Sequence, residues 1–200
     1  MASKRRYNEP HPGEVEMQLR SGTRLVGKRL IEHVRDVLGT GFKEFIEAQW
    51  MFFMATSDEA GNQDCNYRGG RPGFVRVLDD KTLLFPDYNG NGSYMSLGNL
   101  RVNPSVGLLF IDFETQRRLR VNGRAEIIED PEIASQFEGA ERVVKVMVGQ
   151  AFPNCSRYIH KMVRVGEIPR DLRSHFEADE SCSDEEICTT PILNGPAELR

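Results

Sequence analysis

Two glycine-rich segments and one run of arginines carry the residue types in this chain that bind anions or flat, electron-rich rings. The loop at 86–93 reads Pro-Asp-Tyr-Asn-Gly-Asn-Gly-Ser and precedes a predicted helix. Glycines let a backbone approach an anion, and the helix N-terminus adds unpaired N–H groups and a positive dipole. The candidate side-chain donors to a phosphate are Asn91, Ser93, Ser96 and Asn99. An ordinary polar turn has the same composition, and no Gly-Lys-Ser/Thr follows to make a Walker motif.

The second segment, Arg68-Gly69-Gly70, ends a predicted strand. The Arg68 guanidinium is suited to an anion, and the two glycines would let a planar ring lie against the backbone. A glycine-rich hairpin without a ligand is the alternative, and the spacing alone leaves both open.

The third segment is a predicted strand that carries Arg117, Arg118 and Arg120. Successive side chains of a strand point to opposite faces, so Arg118 and Arg120 share a face and Arg117 points to the other. A basic group beside a phosphate or an electron-rich ring stabilises negative charge there. The alternative is a solvated strand face, with Leu119 and Val121 turned toward the core.

The cysteines and histidines do not form the pattern of a metal or nucleophile site. The four cysteines, Cys65, Cys155, Cys182 and Cys188, make no Cys-x-x-Cys pair and have no histidine at metal-ligand spacing. We therefore expect free thiols in a reducing cytoplasm and no metal site. For Cys155 we expect the role of a small buried hydrophobic residue rather than that of a reactive thiol. No side chain stands out as a general acid or base.

The charge of the chain is concentrated at its C-terminus. The sequence holds 26 Lys and Arg against 30 Asp and Glu, a net charge of −4 at pH 7. Residues 177–200 include seven acidic residues and one arginine, so residues 1–176 carry a net charge of +2. A near-neutral folded part does not predict a nucleic-acid surface. No apolar run is long enough for a transmembrane helix, and the N-terminus does not resemble a signal peptide.

The hydrophobic pattern changes from helical to strand-like near residue 50. Apolar residues at a period near 3.6 predict helical structure over 14–38, with Gly22 and Gly27 as candidate interruptions, ended by the glycines at 39 and 41, and a short helix at 42–48. Further helices are predicted at 94–102 and 131–139. Strands are predicted at 50–57, 62–68, 74–78, 82–85, 106–113, 116–128, 143–148 and 158–165. Short strands joined by hairpins, with helices only at the margins, favour a closed β-barrel in a mainly β (α+β) fold.

These patterns divide the chain into three regions. Residues 1–41 form an N-terminal arm with helices, and residues 42–176 form the barrel domain. Residues 177–200 are acidic, lack periodicity and contain prolines, which predicts a disordered tail.

The order of these pieces resembles the pyridoxamine 5′-phosphate oxidase-like family. The chain has a buried strand followed by Asp-Glu-Ala-Gly, the pattern P-x-x-V-x-V-L-D-D-x-T-L, a short helix ending in Asn-Pro, then V-x-L-L-F and a long strand ending in V-N-G-x-A. The resemblance covers roughly residues 42–165. It is strongest to bacterial members that carry Y-R-G-G-x-P-G-F-V-R-V-L-D-D, which stands here at 67–80.

The resemblance implies a split β-barrel that forms a homodimer and binds flavin mononucleotide (FMN) between its subunits. In the oxidase, a basic Ser-Arg-Lys at the start of the helix before Asn-Pro grips the flavin phosphate. The matching positions here are Tyr94, Met95 and Ser96, so both basic residues are missing. Phosphate binding then falls to Asn91, Ser93, Ser96 and a basic side chain at Arg68 or Arg71. The glutamine that meets the flavin ring in the oxidase aligns with Arg118.

The function that the resemblance implies is that of an FMN-binding oxidoreductase acting on an unknown small molecule. A deazaflavin-dependent reductase is a second enzymatic interpretation, because relatives of this family use that cofactor. A third interpretation is a non-catalytic protein that binds flavin, haem or another tetrapyrrole.

Removal of residues 177–200 tests the prediction of a disordered tail. A segment without a packed core contributes little to the free energy of unfolding. We therefore expect the shortened chain to keep the Tm and the bound-cofactor content of the full chain, measured by scanning calorimetry and visible absorbance. A fall of several degrees in Tm, or loss of cofactor, would show that the tail is structural.

Overall fold

The structure is a computed structural model that describes residues 9–166. The helices are α1 (Pro12–Arg20), α2 (Arg24–Ile31), α3 (Thr40–Glu47), α4 (Met95–Val102) and α5 (Pro131–Ala134). The strands are β1 (Met51–Ser57), β2 (Gln63–Gly69), β3 (Arg76–Val77), β4 (Thr82–Tyr88), β5 (Ser105–Asp112), β6 (Arg117–Ile128) and β7 (Ala140–Pro153). The predicted tail and the cysteines at 182 and 188 lie outside the described residues.

The strands form one antiparallel sheet of seven, in the order β2-β1-β5-β6-β7-β4-β3. Side chains alternate between a buried inner face and an outer face, as the strand period requires. On β1, Phe52 and Met54 are fully buried, whereas Phe53 between them is only half-buried. On β6, Leu119 and Val121 point into the core. The prediction that Arg118 and Arg120 share the opposite face is therefore confirmed.

The sheet curls until its inner face meets itself. The ring of Phe52 lies 5.1 Å from that of Phe110 on the neighbouring β5, and also 5.0 Å from that of Phe85 on β4. The Phe74 ring, just before β3, stacks on Phe52 at 5.8 Å. Strands β1 and β4 are far apart in the sheet order, so these contacts place them on opposite walls of one core. The predicted split barrel with helices at its margins is confirmed.

We expected a closed barrel, but hydrogen-bonded strands do not close it, because the sheet order ends at β2 and β3. Strand β3 pairs with only two residues of β4, Leu83 and Leu84. Strand β4 then continues through Pro86 and Asp87, which pair with β7 alone. Proline is tolerated there because no further strand needs its missing N–H. The gap between β2 and β4 is bridged by side chains instead.

The helical stretch predicted over 14–38 consists of two helices. Gly22 adopts a φ of 63°, in the left-handed region, and separates α1 from α2. This conformation ends a helix and is far less costly for glycine than for other residues. After α2 the chain is extended, and Arg35 forms an isolated bridge with Ala151 of β7.

The predicted strand at 158–165 is wrong, since that stretch contains no regular strand. Tyr158 has a φ of 67°, and the segment is held by single hydrogen bonds, such as Met162 N to Phe113 O. The predicted strand at 143–148 lies within the longer β7. The helix predicted at 131–139 ends at Ala134, and Gly139 has a φ of 79° before β7 begins.

No helix within residues 9–166 has the length and apolarity needed to cross a membrane.

Two glycines should respond in opposite ways to an added methyl group. A Cβ at Gly123 would lie 2.1 Å from the carbonyl oxygen of Met147, whereas a Cβ at Gly98 in α4 meets nothing within 4 Å. We expect Gly123→Ala to destabilise the fold by about 1–3 kcal/mol, as overpacking does. We expect Gly98→Ala to stabilise the fold by about 0.4–1 kcal/mol, because alanine lowers the conformational entropy of the unfolded chain. Urea denaturation measures both, and equal effects would contradict the packing described for β6 and β7.

Candidate functional site

A cavity of about 80 Å³ opens where β2 and β4 end and α4 begins. Strand β2 contributes Asn66 and Arg68 to its wall, and β4 contributes Asp87. The remaining wall consists of the glycine-rich loop that follows β4 and the first turn of α4. It includes Asn91, Ser93 and Tyr94. We call this space the α4 cavity.

A buried ion pair forms one wall of the α4 cavity. The Nη1 of Arg68 donates to Oδ1 of Asp87 at 2.7 Å, with side chains 17% and 5% exposed. On the other side of the carboxylate, Nη1 of Arg142 lies 3.6 Å from Oδ2 of Asp87. Two cations therefore flank one carboxylate, and Arg142 also contacts the carboxylates of Glu141 at 2.9 Å and Glu129 at 3.9 Å.

One edge of the Arg68 guanidinium has no acceptor among the described residues. Its Nε is buried without a hydrogen-bond partner, and the contact to Asp87 uses Nη1. The Nε and Nη2 groups together form a fork that matches the two oxygens of a carboxylate or phosphate. Buried donors are nearly always paired in folded proteins, so the Nε of Arg68 is open to an acceptor from outside the chain. Oδ2 of Asp87 is also buried without a hydrogen-bond partner.

The N-terminus of α4 faces the same cavity. Met95, Ser96 and Leu97, in the first turn, all line it, and no side chain caps the helix. The first N–H groups of a helix have no partner within the helix, so they are available to an anion. Tyr94 at the N-cap has a φ of 47°, which is unusual for a residue with a side chain.

Tyr94 also connects the helix end to the ion pair. Its ring centre lies 5.2 Å from the guanidinium carbon of Arg142. Partial desolvation lowers the pKa of Arg142, but hydrogen bonds with Tyr94 and Glu141 outweigh it and raise that pKa overall. Arg142 is therefore a permanent cation between Tyr94 and Asp87.

The structure brings together four of the predicted binding residues: Arg68, Asn91, Ser93 and Ser96 line the α4 cavity. Two of their hydroxyl groups already donate within the protein. Ser93 Oγ donates to Oδ1 of Asn91 at 2.8 Å, and Ser96 Oγ donates to Oδ2 of Asp64 at 2.7 Å. A phosphate oxygen would gain these donors only if the hydroxyl groups rotated away from their present acceptors.

Three predicted residues do not line the α4 cavity. Asn99 lies further along α4, where its Nδ2 donates to Thr56 Oγ1 at 3.0 Å. A Cβ at Gly69 or Gly70 would come within 3 Å of the ring of Tyr67 or Phe74, respectively. Tyr67 and Phe74 therefore fill the space beside these two glycines, where we predicted the ring of a ligand.

Arg117 and Arg118 also lie away from the α4 cavity. The Arg117 guanidinium lies over the ring of Phe45, 5.1 Å from its centre. Arg118 is half-buried, its Nε has no hydrogen-bond partner, and it contributes to the electrostatic field at Cys155. These two arginines thus belong to a different part of the surface from Arg68.

The sequence did not identify Asp87, Tyr94 or Arg142 as parts of a site. Asp87 was assigned to a loop, but β4 continues through it and turns its side chain inward beside Phe85. The spacing of Asp87 and Phe85 could have indicated this, because residues two apart on a strand lie on the same face and Phe85 is buried. Arg142 carries no local signal, because only the pairing of β4 with β7 places it opposite Asp87. Within residues 9–166, no group of three or more metal-ligating side chains is close enough to hold an ion.

Sequence comparison identifies the family of this barrel. The sequence profile described as pyridoxamine 5′-phosphate oxidase matches residues 39–162, from the N-cap of α3 to the segment after β7. The chain belongs to the pyridoxamine 5′-phosphate oxidase-like family. The resemblance inferred from the order of motifs is thereby confirmed, together with the FMN-binding split-barrel fold that defines the family. No curated protein matches the chain in sequence.

Solved structures of this fold are similar to the chain at low identity. HupZ of Group A Streptococcus, as a histidine-to-alanine variant, is 22% identical with a TM-score of 0.47, over 58% of this chain and 99% of that one. A provisionally assigned pyridoxamine 5′-phosphate oxidase of Lactobacillus delbrueckii is 22% identical with a TM-score of 0.47, over 59% and 95%. An FMN-binding protein of Syntrophomonas wolfei is 10% identical with a TM-score of 0.44, over 75% and 99%. Such likeness concerns the fold alone.

Cys155 is exposed, so the expectation of a buried hydrophobic role is wrong. The residue follows the end of β7 and lies in the irregular segment rather than in the core. The backbone N–H of Arg157 donates to its sulfur at 3.4 Å. That N–H, the Arg157 side chain and the field of Arg118 lower the pKa of the Cys155 thiol.

A lowered pKa makes Cys155 more reactive at neutral pH, because the thiolate is the nucleophile. In a chain with Cys65, Cys182 and Cys188 replaced by serine, we expect iodoacetamide to react with a pH midpoint below about 8.5, the ordinary thiol value. Arg157→Gln should raise that midpoint. Arg164→Gln is the control, since that guanidinium lies over Trp50. A midpoint that Arg157→Gln leaves in place would contradict this assignment.

Proposed function

We propose that this protein is an FMN-binding oxidoreductase acting on a small molecule, and that the α4 cavity holds the flavin phosphate. The observation that carries the proposal is the unpaired Nε–Nη2 edge of Arg68, in a cavity that also receives the N-terminus of α4. A guanidinium fork and free helix N–H groups are two independent devices for binding a phosphate. They compensate for the basic pair that the oxidase carries at the positions of Met95 and Ser96.

The size of the α4 cavity supports a phosphate and excludes a whole flavin. Its volume is about 80 Å³. Pockets that enclose a complete cofactor or drug-sized ligand measure roughly 300–1,000 Å³. The isoalloxazine ring must therefore lie outside the cavity, against a surface that one protomer leaves open.

A homodimer is part of the proposal. The outer face of the sheet carries apolar side chains that the core does not cover, among them Phe53, Leu109 and Phe152, which are half-buried, and Tyr67, which is 55% exposed. A contiguous apolar face on a protein surface marks an interaction site. A second copy across this face, related by a two-fold axis, would supply the second wall for a planar ring.

When bound, the flavin supplies the hydride or electron chemistry of the reaction. The residues of this chain bind and orient it: Arg68 and the first turn of α4 at the phosphate, and the outer sheet face beside the ring. No described side chain is proposed as a general acid or base. We place the protein in the reducing cytoplasm, a setting that suits the free, exposed thiols of Cys65 and Cys155.

An absorbance spectrum of the purified full-length protein tests the proposed cofactor. A flavin spectrum that bleaches when NADH or NADPH is added supports the oxidoreductase. If the protein is colourless and only an added deazaflavin stabilises it, a deazaflavin replaces FMN in the proposal. A Soret band would instead indicate a haem- or tetrapyrrole-binding protein without turnover.

Arg68→Gln tests the phosphate site separately from the ring. Loss of hydrogen bonds to a charged group costs about 1.5–3 kcal/mol, which raises a Kd by about 10- to 150-fold. We expect this rise for FMN in a fluorescence titration, and no change for riboflavin, which lacks the phosphate. Arg20→Gln is the matched control, because Arg20 forms an exposed pair with Glu16 within α1, outside the α4 cavity. Equal affinity of the Arg68→Gln protein and the wild type for FMN would reject the site.

A further inference from the structure

We propose that Asp87, supported by Arg142, is a positioning residue that aims the free edge of Arg68 at the anion in the α4 cavity. This inference rests on the proposed function and adds to it the residues that give the site its geometry. The observation behind it is the order of three side chains, Arg68, Asp87 and Arg142, across the open side of the barrel.

Asp87 is a fixed point because of where it lies in the sheet. Strand β4 is hydrogen-bonded to β7, and Asp87 stands directly opposite Arg142 in that pairing. The Asp87 side chain is 5% exposed, so it has little room to move. Its carboxylate therefore keeps one place whether or not a ligand is bound.

Arg68, in contrast, extends from the edge strand of the sheet. Strand β2 has β1 as its one neighbour in the sheet. Among the described residues, the guanidinium has a single hydrogen-bond acceptor, Oδ1 of Asp87. This bond uses Nη1 and leaves the Nε–Nη2 fork unpaired, so Asp87 determines which edge of the guanidinium remains for a ligand.

Arg142 supports the Asp87 carboxylate from its other side. Its Nη1 lies 3.6 Å from Oδ2 of Asp87 and 2.9 Å from Oε2 of Glu141, so its charge is shared between these two carboxylates. Its contact with Tyr94, the N-cap of α4, links the same cation to the helix end that faces the cavity.

Asp87→Asn and Arg142→Gln test this arrangement by titration of the full-length protein with FMN and with riboflavin. In metal sites, loss of a group that orients a ligand weakens binding about 10- to 100-fold, and we take the same range for a group that orients Arg68. We expect Asp87→Asn to weaken FMN about tenfold or more and to leave riboflavin unchanged, and Arg142→Gln to act in the same direction. Lys145→Gln is the control, because Lys145 lies on the same strand as Arg142 in an exposed pair with Glu126.

The comparison of the two ligands separates positioning from a general loss of structure. Equal weakening of FMN and riboflavin would mean that the carboxylate only supports packing, and it would overturn the proposal. Tighter FMN binding by Asp87→Asn would identify Asp87 as a competitor of the phosphate, which also overturns it. Should Asp87→Asn not fold, the more exposed Arg142→Gln decides on the same criteria.

The wild-type protein distinguishes failure of this inference from failure of the proposed function. If the wild type binds FMN no better than riboflavin, the phosphate site itself is wrong, and the positioning role is overturned with it. If the wild type prefers FMN and both variants keep that preference, the site stands and only the role of Asp87 and Arg142 is overturned.

Discussion

The buried pair between Arg68 and Asp87 is the interaction on which the rest of this structure depends. It joins an edge strand of the sheet to a strand at the opposite end of the sheet order, where no backbone hydrogen bonds close the barrel. Removal of one member of a buried pair costs about 3–5 kcal/mol, because the other charge is left uncompensated. The same contact thus holds the split of the barrel together and forms the wall of its candidate site.

A second set of polar contacts fixes α4 relative to that split. Ser96 donates to Asp64, Asn99 to Thr56 and Asn103 to Ser57, so one side of the helix is bonded to β1 and β2 along its length. Because the helix is held in this way, its N-terminus faces the cavity beside Arg68. Ser96 and Asn99, two of the predicted phosphate donors, thus serve to position the helix, whose own first N–H groups face the α4 cavity.

Burial and exposure differ between the two faces of the sheet. The inner face is filled by aromatic and branched side chains. The outer face keeps apolar residues in partial contact with water. This contrast is one reason why we propose a second copy of the chain on the outer face.

The family, the strand alternation and the loop that lines the cavity could be predicted from the residues alone, because these depend on the local order of residues from 42 to 165. Arg68 was identified from its neighbouring glycines, and Asn91, Ser93 and Ser96 from a polar loop before a helix. The break at Gly22 was a predicted interruption of the helical stretch at 14–38, whereas the strand predicted at 158–165 was wrong, because Tyr158 has a positive φ angle. The contacts of Asp87 with both Arg68 and Arg142 could not be predicted, because the sheet brings together three strands that lie far apart in the chain, and no local pattern encodes this.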